Sequence, residues 1–356
     1  MFKKKKEKIL VALSGGVDSA VALYLLKKQG YKIEAAFMKN FSERIDKNHK
    51  CPWKEDRLEA YKVASFLKIP IHTFNFEKEY KDKIINYLFN TYKKGLTPNP
   101  DILCNNEIKF KLFLQKAKKL GFNKIATGHY ANIKKNKDGF HLLKGIDELK
   151  DQSYFLSGLT QKQISSSLFP IGKLTKNKVR KIAKKIELPN ANRKDSQGIC
   201  FVGKVNMKDF LQKKIPKKEG KIIDTKGNIL GKHDGIFYYT IGQRKGINIG
   251  GTGPWYVVNK NLEDNILTVG HKNNLQLYKK EIFIKKIHWL NKKYNFPLKA
   301  KGQIRYNQKD QNIEIFKLKN NKYKVLFKNK QKSVAPGQIL AIYKKNELIA
   351  SAIIDS

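Results

Sequence analysis

Ile9-Leu10-Val11-Ala12-Leu13-Ser14-Gly15-Gly16-Val17-Asp18-Ser19 decides how the rest of this chain is read. An apolar run breaks into Ser-Gly-Gly-Val-Asp-Ser and then into a helical pattern. Strand, Gly-rich turn and helix together converge backbone N–H groups and a helix N-terminus on an anion. Gly15 and Gly16 reach turn dihedrals closed to other residues and let the backbone approach a phosphate closely. Ser14 and Ser19 add hydroxyl donors, and Asp18 is suited to help hold a magnesium ion that bridges phosphates. The Gly-Lys-Ser/Thr end of a Walker loop is missing, as is the spacing of a dinucleotide fingerprint. A phosphate site without that lysine points away from γ-phosphoryl transfer. An ordinary strand-to-helix turn would also use Gly-Gly-x-Asp.

Outward from this loop, short β-like runs alternate with amphipathic helical ones. Helices are expected over Asp18 to Gln29, Glu55 to Leu67, Glu77 to Tyr92 and about Glu107 to Leu120, and strands over Ile33 to Met38, Ile71 to Phe76 and Lys124 to Thr127. Repeated βα units of this length predict an α/β fold with a doubly wound parallel sheet, whose ligands sit at the carboxyl ends of the strands. After about Val202 the helical period fades. Lys221 to Asp224, Ile236 to Thr240, Trp255 to Asn259 and Ile266 to Val269 read as strands, and strand-like alternation continues from Glu281 to Ala352. The expected organisation is therefore residues 1–203, a small middle domain 204–280 and a C-terminal β-barrel-like domain 281–356.

At 356 residues the chain has length for two or three cores, and its formal net charge is +44. Arginine supplies six of the 74 basic residues (Arg44, Arg57, Arg180, Arg193, Arg244 and Arg305) and lysine the rest. A polyanionic partner selects for such a surface. A genome rich in A and T also inflates lysine, asparagine and isoleucine, and the lysines are spread evenly, so most of the excess is assigned to bias. No stretch approaches 18 apolar residues. Lys3 to Lys6 precede an apolar run too short for a signal sequence, and the expected location is cytoplasmic, with reduced thiols.

The three cysteines lie far apart. Cys104 follows Thr97-Pro98-Asn99-Pro100-Asp101, a loop that two prolines hold extended, and a helix is expected to begin just after it. A thiol at a helix N-terminus has a lowered pKa, and Asp101 three residues earlier is placed to exchange protons. Taken alone, Cys104 reads more readily as a buried structural cysteine, since cysteine is among the most buried residue types. Cys200 lies in Asp195-Ser196-Gln197-Gly198-Ile199-Cys200-Phe201-Val202-Gly203. Spacing alone does not say whether the two form a redox couple, a persulfide carrier with its resolving thiol, or neither.

Ser14 to Ser19 resembles the pyrophosphate loop of the ATP pyrophosphatases, the PP-loop superfamily with its adenine nucleotide alpha hydrolase-like fold. Further segments follow in family order: Phe37-Met38-Lys39-Asn40, Asn99-Pro100-Asp101 with Cys104-Asn105, Gly128-His129-Tyr130, Lys150-Asp151-Gln152-Ser153-Tyr154, Asp195 to Gly203, Tyr239-Thr240-Ile241-Gly242-Gln243-Arg244-Lys245-Gly246, and Ala335-Pro336-Gly337-Gln338. Together they resemble the tRNA-specific 2-thiouridylases across nearly the whole chain. The resemblance implies an ATP-dependent, AMP-forming sulfurtransferase acting on the wobble uridine of tRNAs for Lys, Glu and Gln. It implies ATP held by Ala12, Leu13, Ser14, Gly15, Gly16, Val17, Asp18 and Ser19 with Met38 and Gly128, and Mg2+ accompanying it. The target base is implied to meet Asn99, Pro100 and Asp101, and tRNA to meet His129, Lys150, Asp151, Gln152, Arg305, Tyr306 and Gln338. Cys104 would be the nucleophile, Asp101 the acid/base and Cys200 the persulfide carrier, with a transient Cys104–Cys200 disulfide. The sulfur would come from a relay protein or directly from a cysteine desulfurase.

Two positions depart from the family pattern. Asn132 stands where arginine is usual, which is expected to remove a charge near the entrance. Ala12 replaces a glycine common at the start of the loop. Cys51 is read as structural. Lysidine, GMP and argininosuccinate synthetases share the loop but have no need of this cysteine pair, and an iron–sulfur thiolase would want a C-x-x-C set. A binding protein that retained the fold would have no need of Asp18, Asp101 and both cysteines.

Overall fold

A computed structural model describes residues 7–43, 53–195, 206–250 and 253–355. Five parallel strands form the first sheet: β1 (Lys8–Ala12), β2 (Lys32–Lys39), β3 (Ile71–Asn75) and β4 (Lys124–Ala126), with β7 (Ser167–Leu168) at the far edge after a hairpin of β5 (Ala131–Asn136) and β6 (Gly139–Lys144). The order is β3-β2-β1-β4-β7, so the chain reverses direction across the sheet between β1 and β4. Crevices at such a point receive ligands in open α/β sheets. Alternation drives the layering. Leu10, Ala12, Ala36 and Met38 face one core with Phe76, Tyr80 and Phe113. Ile9, Val11, Leu13, Ala35 and Phe37 face the other with Val21, Leu23, Ala60 and Val63. Each large side chain buried this way contributes roughly 1.5–3 kcal/mol. The doubly wound expectation holds.

The helix after β1 spans Val17–Lys28, with Asp18 in its first turn and Lys27 and Lys28 in its last, both matched to the dipole. Gly30, at φ +75°, turns the chain away from it. Two expected helices are interrupted. Glu77–Tyr80 and Asn86–Lys93 flank a π-helical stretch at Lys81–Ile85, and a helical run from Pro100 to Lys119 contains another at Asn105–Leu112.

A four-stranded sheet of β8 (Gly220–Ile223), β9 (Ile229–His233), β10 (Tyr256–Asn261) and β11 (Ile266–Gly270) follows, in the order β10-β11-β8-β9. The expected strand at Ile236 to Thr240 is instead a short 3-10 helix, Ile236–Tyr238, whose aromatic side chains pack inward despite their strand propensity. Ile222, Val257, Leu267 and Val269 of this sheet belong to the same continuous apolar cluster as Leu10 and Phe113.

The C-terminal strands β12 (Tyr278–Trp289), β13 (Leu298–Gln303), β14 (Gln311–Lys317), β15 (Lys322–Lys332), β16 (Ile339–Lys344) and β17 (Glu347–Ile354) close into a six-stranded barrel. Closure comes from β12 pairing with both β15 and β17. Ile282, Ile284, Ile313, Ile315, Val325, Phe327, Leu340 and Ile342 fill it at the period of two that strands require. The sequence reading missed the β5–β6 hairpin, although Asp138-Gly139 between alternating runs is a hairpin signal. This hairpin leaves the parallel sheet and docks on β17 of the barrel. Among the described residues no helix is long and apolar enough to cross a membrane.

His141 locks that docking. Its Nδ1 lies 2.7 Å from Glu347 Oε1 and its Nε2 2.8 Å from Asp138 Oδ1. Burial lowers its pKa, but hydrogen bonds and charge from Glu347 and Asp138 outweigh that and raise it above the ordinary 6.5. A histidine whose folded pKa is raised contributes stability fully below pH 6.5 and loses it as pH rises through the folded value. The thermal midpoint of His141→Gln is therefore expected to fall furthest below that of the parent near pH 6, with a smaller gap at pH 8.5. An equal gap at both pH values would remove the charged clamp.

Candidate active site

The phosphate loop folds on itself. Ser19 Oγ donates to Gly16 O at 2.9 Å and accepts from Ser14 N at 3.2 Å, while Ser14 Oγ lies 3.2 Å from Ser19 Oγ. Ala12, Leu13, Val17 and Ser19 are buried, whereas Ser14 is exposed at the mouth. Ala12 packs within β1 opposite Ala36 of β2. Gly15 sits at φ +80°, and a Cβ there would lie 2.3 Å from Asp56 O. Gly128, just beyond β4, approaches the other side. A Cβ on it would meet Asp18 C and Ser19 N, both at 2.7 Å. The absence of a Cβ at these two glycines therefore lets the Asp56 backbone on one side and the chain just past β4 on the other close on this loop. Met38 lies buried near the end of β2.

Asp18 carries the electrostatics. Tyr130 OH donates to Asp18 Oδ1 at 2.7 Å, and Lys176 Nζ reaches both carboxylate oxygens at 2.8 Å. Burial, then the Asp18 carboxylate, raises the Tyr130 phenol far above its ordinary range, which keeps it a donor. Lys176 also pairs with Asp195 at 2.7 Å, and Asp195 takes Arg180 at 2.6 Å and Lys150 at 3.1 Å. Burial opposes ionisation of Asp195, yet the hydrogen bonds from Lys176 and Lys150 prevail and lower it to about 2. Asn190 Nδ2 donates to Gly15 O at 2.8 Å, and among the described residues its buried Oδ1 has no hydrogen-bond partner. Arg193 closes the ring by pairing with Asp56 at 2.5 Å.

Lys176, Asn190 and Arg193 escaped the sequence reading. One signal was present. The helix Lys176–Lys185 opens with lysine and has no acidic residue in its first turn. A cation there opposes the macrodipole, so a carboxylate partner from elsewhere was called for.

The second part of the site begins at Asn99. The helix starts at Pro100, not after Cys104: Asn99 Oδ1 accepts from Ile102 N at 3.2 Å as the N-cap, and Pro100 occupies the first helical position. Proline at that position is pre-organised for a helix, a signal the sequence reading spent on an extended loop. Cys104 is accordingly the fifth helical residue and fully buried. The argument for a thiol at the helix N-terminus does not apply to it as placed. Asp101 and Cys104, three residues apart, still share one helix face. The π-helical stretch begins immediately afterwards, a distortion frequent at functional sites.

Gln152 to Tyr154 join the two parts. Gln152 Oε1 accepts from Tyr130 N at 3.0 Å, next to the phosphate loop. Tyr154 OH donates to Ile339 O at 2.9 Å and accepts from Asn99 Nδ2 at 3.5 Å. Asp151 takes the N–H groups of Gly145 and Ser153 and the Ser153 hydroxyl. Gln338 Nε2 donates to Pro98 O at 2.7 Å, and its Oε1 accepts from Asn99 at 3.2 Å. His129 is buried, its Nδ1 2.7 Å from Thr127 Oγ1 and its ring against Phe110 and Phe169. Burial and nearby Lys109 hold its imidazole well below the usual value, hence neutral. Arg305 is exposed, and Tyr306 packs against Phe155 with ring centroids 4.4 Å apart and the rings tilted by 37°. Both lie in the bend after β13, not within a strand. Asn132 pins the hairpin, donating to Lys144 O at 2.9 Å and Gly172 O at 3.0 Å. Cys51 and Cys200, with the expected disulfide, lie outside the described residues.

The Gly128 contact makes a prediction. Gly128→Ala is expected to push the Asp18–Ser19 backbone by several tenths of an ångström and weaken ATP binding by about tenfold or more. Equilibrium binding of the nucleotide checks this. Unchanged affinity would place the nucleotide away from the loop.

Residues 7–204 match the family described as "tRNA methyl transferase HUP domain". Residues 208–271 match the "tRNA methyl transferase PRC-barrel domain" and 279–354 the "Aminomethyltransferase beta-barrel domain". The chain is 47% identical over 358 residues to the tRNA-specific 2-thiouridylase MnmA 1 of Geobacillus kaustophilus, covering 99% of this chain and 96% of that protein. It is 47% identical over 364 residues to the MnmA of Buchnera aphidicola subsp. Acyrthosiphon pisum, covering 100% and 99%. The MnmA of Alkaliphilus oremlandii is 44% identical over 356 residues, covering 99% and 98%.

Proposed function

The chain belongs to the tRNA-specific 2-thiouridylase family, and we propose that it thiolates C2 of the wobble uridine in the tRNAs for Lys, Glu and Gln by adenylation followed by persulfide transfer. The observation that carries this reading is the pairing of a phosphate loop with the Asn99–Cys104 helix start through Gln152 and Tyr154. The chain divides into a catalytic domain 1–203, a tRNA-contacting domain 204–280 and the barrel domain 281–356.

ATP supplies the activation: its α-phosphorus bonds to the uridine O2, the Pα–O–Pβ bond breaks, and pyrophosphate leaves. Ser14 to Ser19, Met38 and Gly128 hold the nucleotide, and Asn190 Oδ1, without a partner among the described residues, offers one further acceptor beside Gly15. Asp18 would hold the accompanying magnesium in place of the Lys176 ammonium, and the ion would supply neutralising charge for the phosphates. Lys176 then turns to the phosphates and supplies the charge that a Walker lysine supplies elsewhere.

Asn99, Pro100 and Asp101 receive the base, which leaves its stack to expose C2. The outer sulfur of a Cys200 persulfide, loaded by a relay protein or a cysteine desulfurase, bonds to C2. Cys104 attacks the inner sulfur, the S–S bond of the persulfide breaks, and AMP departs with the former O2. The resulting Cys104–Cys200 disulfide is reduced by an external thiol before the next turnover. Alternatively, Cys104 attack releases the terminal sulfur before it reaches C2. Asp101 moves the proton. Lys150, Arg305 and Tyr306 meet the tRNA directly, while His129, Asp151, Gln152 and Gln338 position the surfaces that do.

Mass spectrometry of nucleosides from tRNA incubated with the protein, ATP, magnesium and a persulfide source is expected to show 2-thiouridine. Cys200→Ser and Cys104→Ser should bind tRNA and yield none. Product from the Cys200→Ser protein would move that thiol out of the chemistry. For the phosphate reading, Lys176→Met is expected to weaken ATP binding about 10- to 100-fold while leaving AMP binding within about twofold. Equal losses for both nucleotides would make Lys176 a structural partner of Asp18 alone.

A further inference from the structure

Four residues before the Asn99 cap, the chain is gripped by a lysine that neither the loop nor the helix contributes. Lys260 lies in β10 of the four-stranded sheet, and its ammonium donates to Gly95 O at 2.5 Å and Tyr239 O at 2.9 Å. No carboxylate of the described residues pairs with it, and burial alone lowers its pKa to about 8. An ammonium kept where solvation is lost, for two charge-assisted bonds to carbonyls, is a costly way to join two backbones.

The geometry around it is tight. Gly95 ends the helix Asn86–Lys93 with its N–H on Tyr92 O at 2.8 Å and φ at +68°. A Cβ on Gly95 would lie 2.6 Å from Leu262 Cδ1, so this stretch of the chain packs flush against the loop that follows β10. Two residues on, Thr97 N donates to Pro336 O at 2.8 Å and Thr97 Oγ1 lies 3.5 Å from Thr240 Oγ1. Gln338 holds Pro98, and Tyr87 OH accepts from Asn99 N at 3.4 Å. Residues 95–99 are thus held from the four-stranded sheet on one side and the barrel on the other, directly before Asp101 and Cys104.

We propose that Lys260 is a positioning residue for the thiolation reaction: by bridging Gly95 and Tyr239 it sets the register of the loop that presents Asn99, Asp101 and Cys104 to the target base. The proposal rests on the reading above for the identity of the reaction, and on the structure alone for the position of the loop. It gives the four-stranded sheet a part in the chemistry through a side chain that itself touches no substrate. The gain is geometric, because a displacement of about 1 Å in reacting groups costs on the order of 100-fold in rate.

Lys260→Met keeps the length of the side chain and removes both donors, while Lys260→Arg keeps charge and donors. Three measurements on the full-length proteins separate the links: single-turnover thiolation of tRNA, ATP affinity, and hydrogen exchange followed by mass spectrometry. Lys260→Met is expected to thiolate about 10- to 100-fold more slowly. Its ATP affinity should stay within about twofold, and exchange should quicken across residues 95–104 but not in β1 or the barrel. Lys260→Arg should recover part of the rate. An unchanged rate in Lys260→Met overturns the proposal. So does a loss of ATP affinity in step with the rate, or faster exchange throughout, since either makes Lys260 a general structural lysine. If the unsubstituted protein makes no 2-thiouridine, the assigned reaction fails, and the exchange pattern still decides whether Lys260 holds the loop.

Discussion

Asp18 satisfies its charge through residues more than a hundred positions away, and the arrangement around the Ser14–Ser19 loop follows from that need. Its carboxylate is part-buried and takes the Tyr130 hydroxyl and the Lys176 ammonium. Removing either partner would leave a carboxylate short of donors in a poorly solvated place. Tyr130 must therefore sit just past β4, next to β1, and the helix that carries Lys176 must point its N-terminus at the loop. Parallel order β2-β1-β4 is what brings these ends to one rim. The same rim collects Arg180, Arg193 and Lys150 around Asp195 and Asp56, a set of cations compensated by acids.

Polar side chains transmit that arrangement to the other half of the site. Gln152 reads the backbone of Tyr130, and two residues later Tyr154 reaches Asn99 and the barrel carbonyl of Ile339. Gln338 returns from the barrel to the Pro98 carbonyl and the Asn99 amide. Residues expected to face a substrate are here seen fixing other residues, as with Asp151 and the neutral, buried His129. Buried polar networks of this kind specify one arrangement because each lost partner leaves an unsatisfied group.

The fold was legible where burial imposes a period. Ile9 to Leu13 and Ala35 to Met38 alternate between two cores, and Ile282, Ile284, Ile313 and Ile315 fill one barrel interior. It was less legible where two local signals competed. Pro98 and Pro100 read as extended chain, yet Asn99 and Pro100 form a cap and first turn, because proline costs nothing where its missing N–H would be unsatisfied anyway. The aromatic run Ile236 to Tyr239 carried strand propensity and packs inward through a 3-10 turn. The Asp138-Gly139 hairpin was written locally but passed over amid lysines and asparagines.

The sequence by itself determined the strand–glycine turn–helix at Ser14 to Ser19, the α/β class, the barrel and the family, since glycine spacing, hydrophobic period and ordered motifs are local. Only the tertiary structure decided that Lys176, Asn190 and Arg193 surround that loop, that a hairpin of the first half extends the barrel sheet, and that Lys260 holds the chain ahead of Asp101 and Cys104. The reason is physical: a lysine states its charge in the sequence but not its partner. In a chain with 74 basic residues, only burial and distance single out the few whose ammonium or guanidinium groups are held in place.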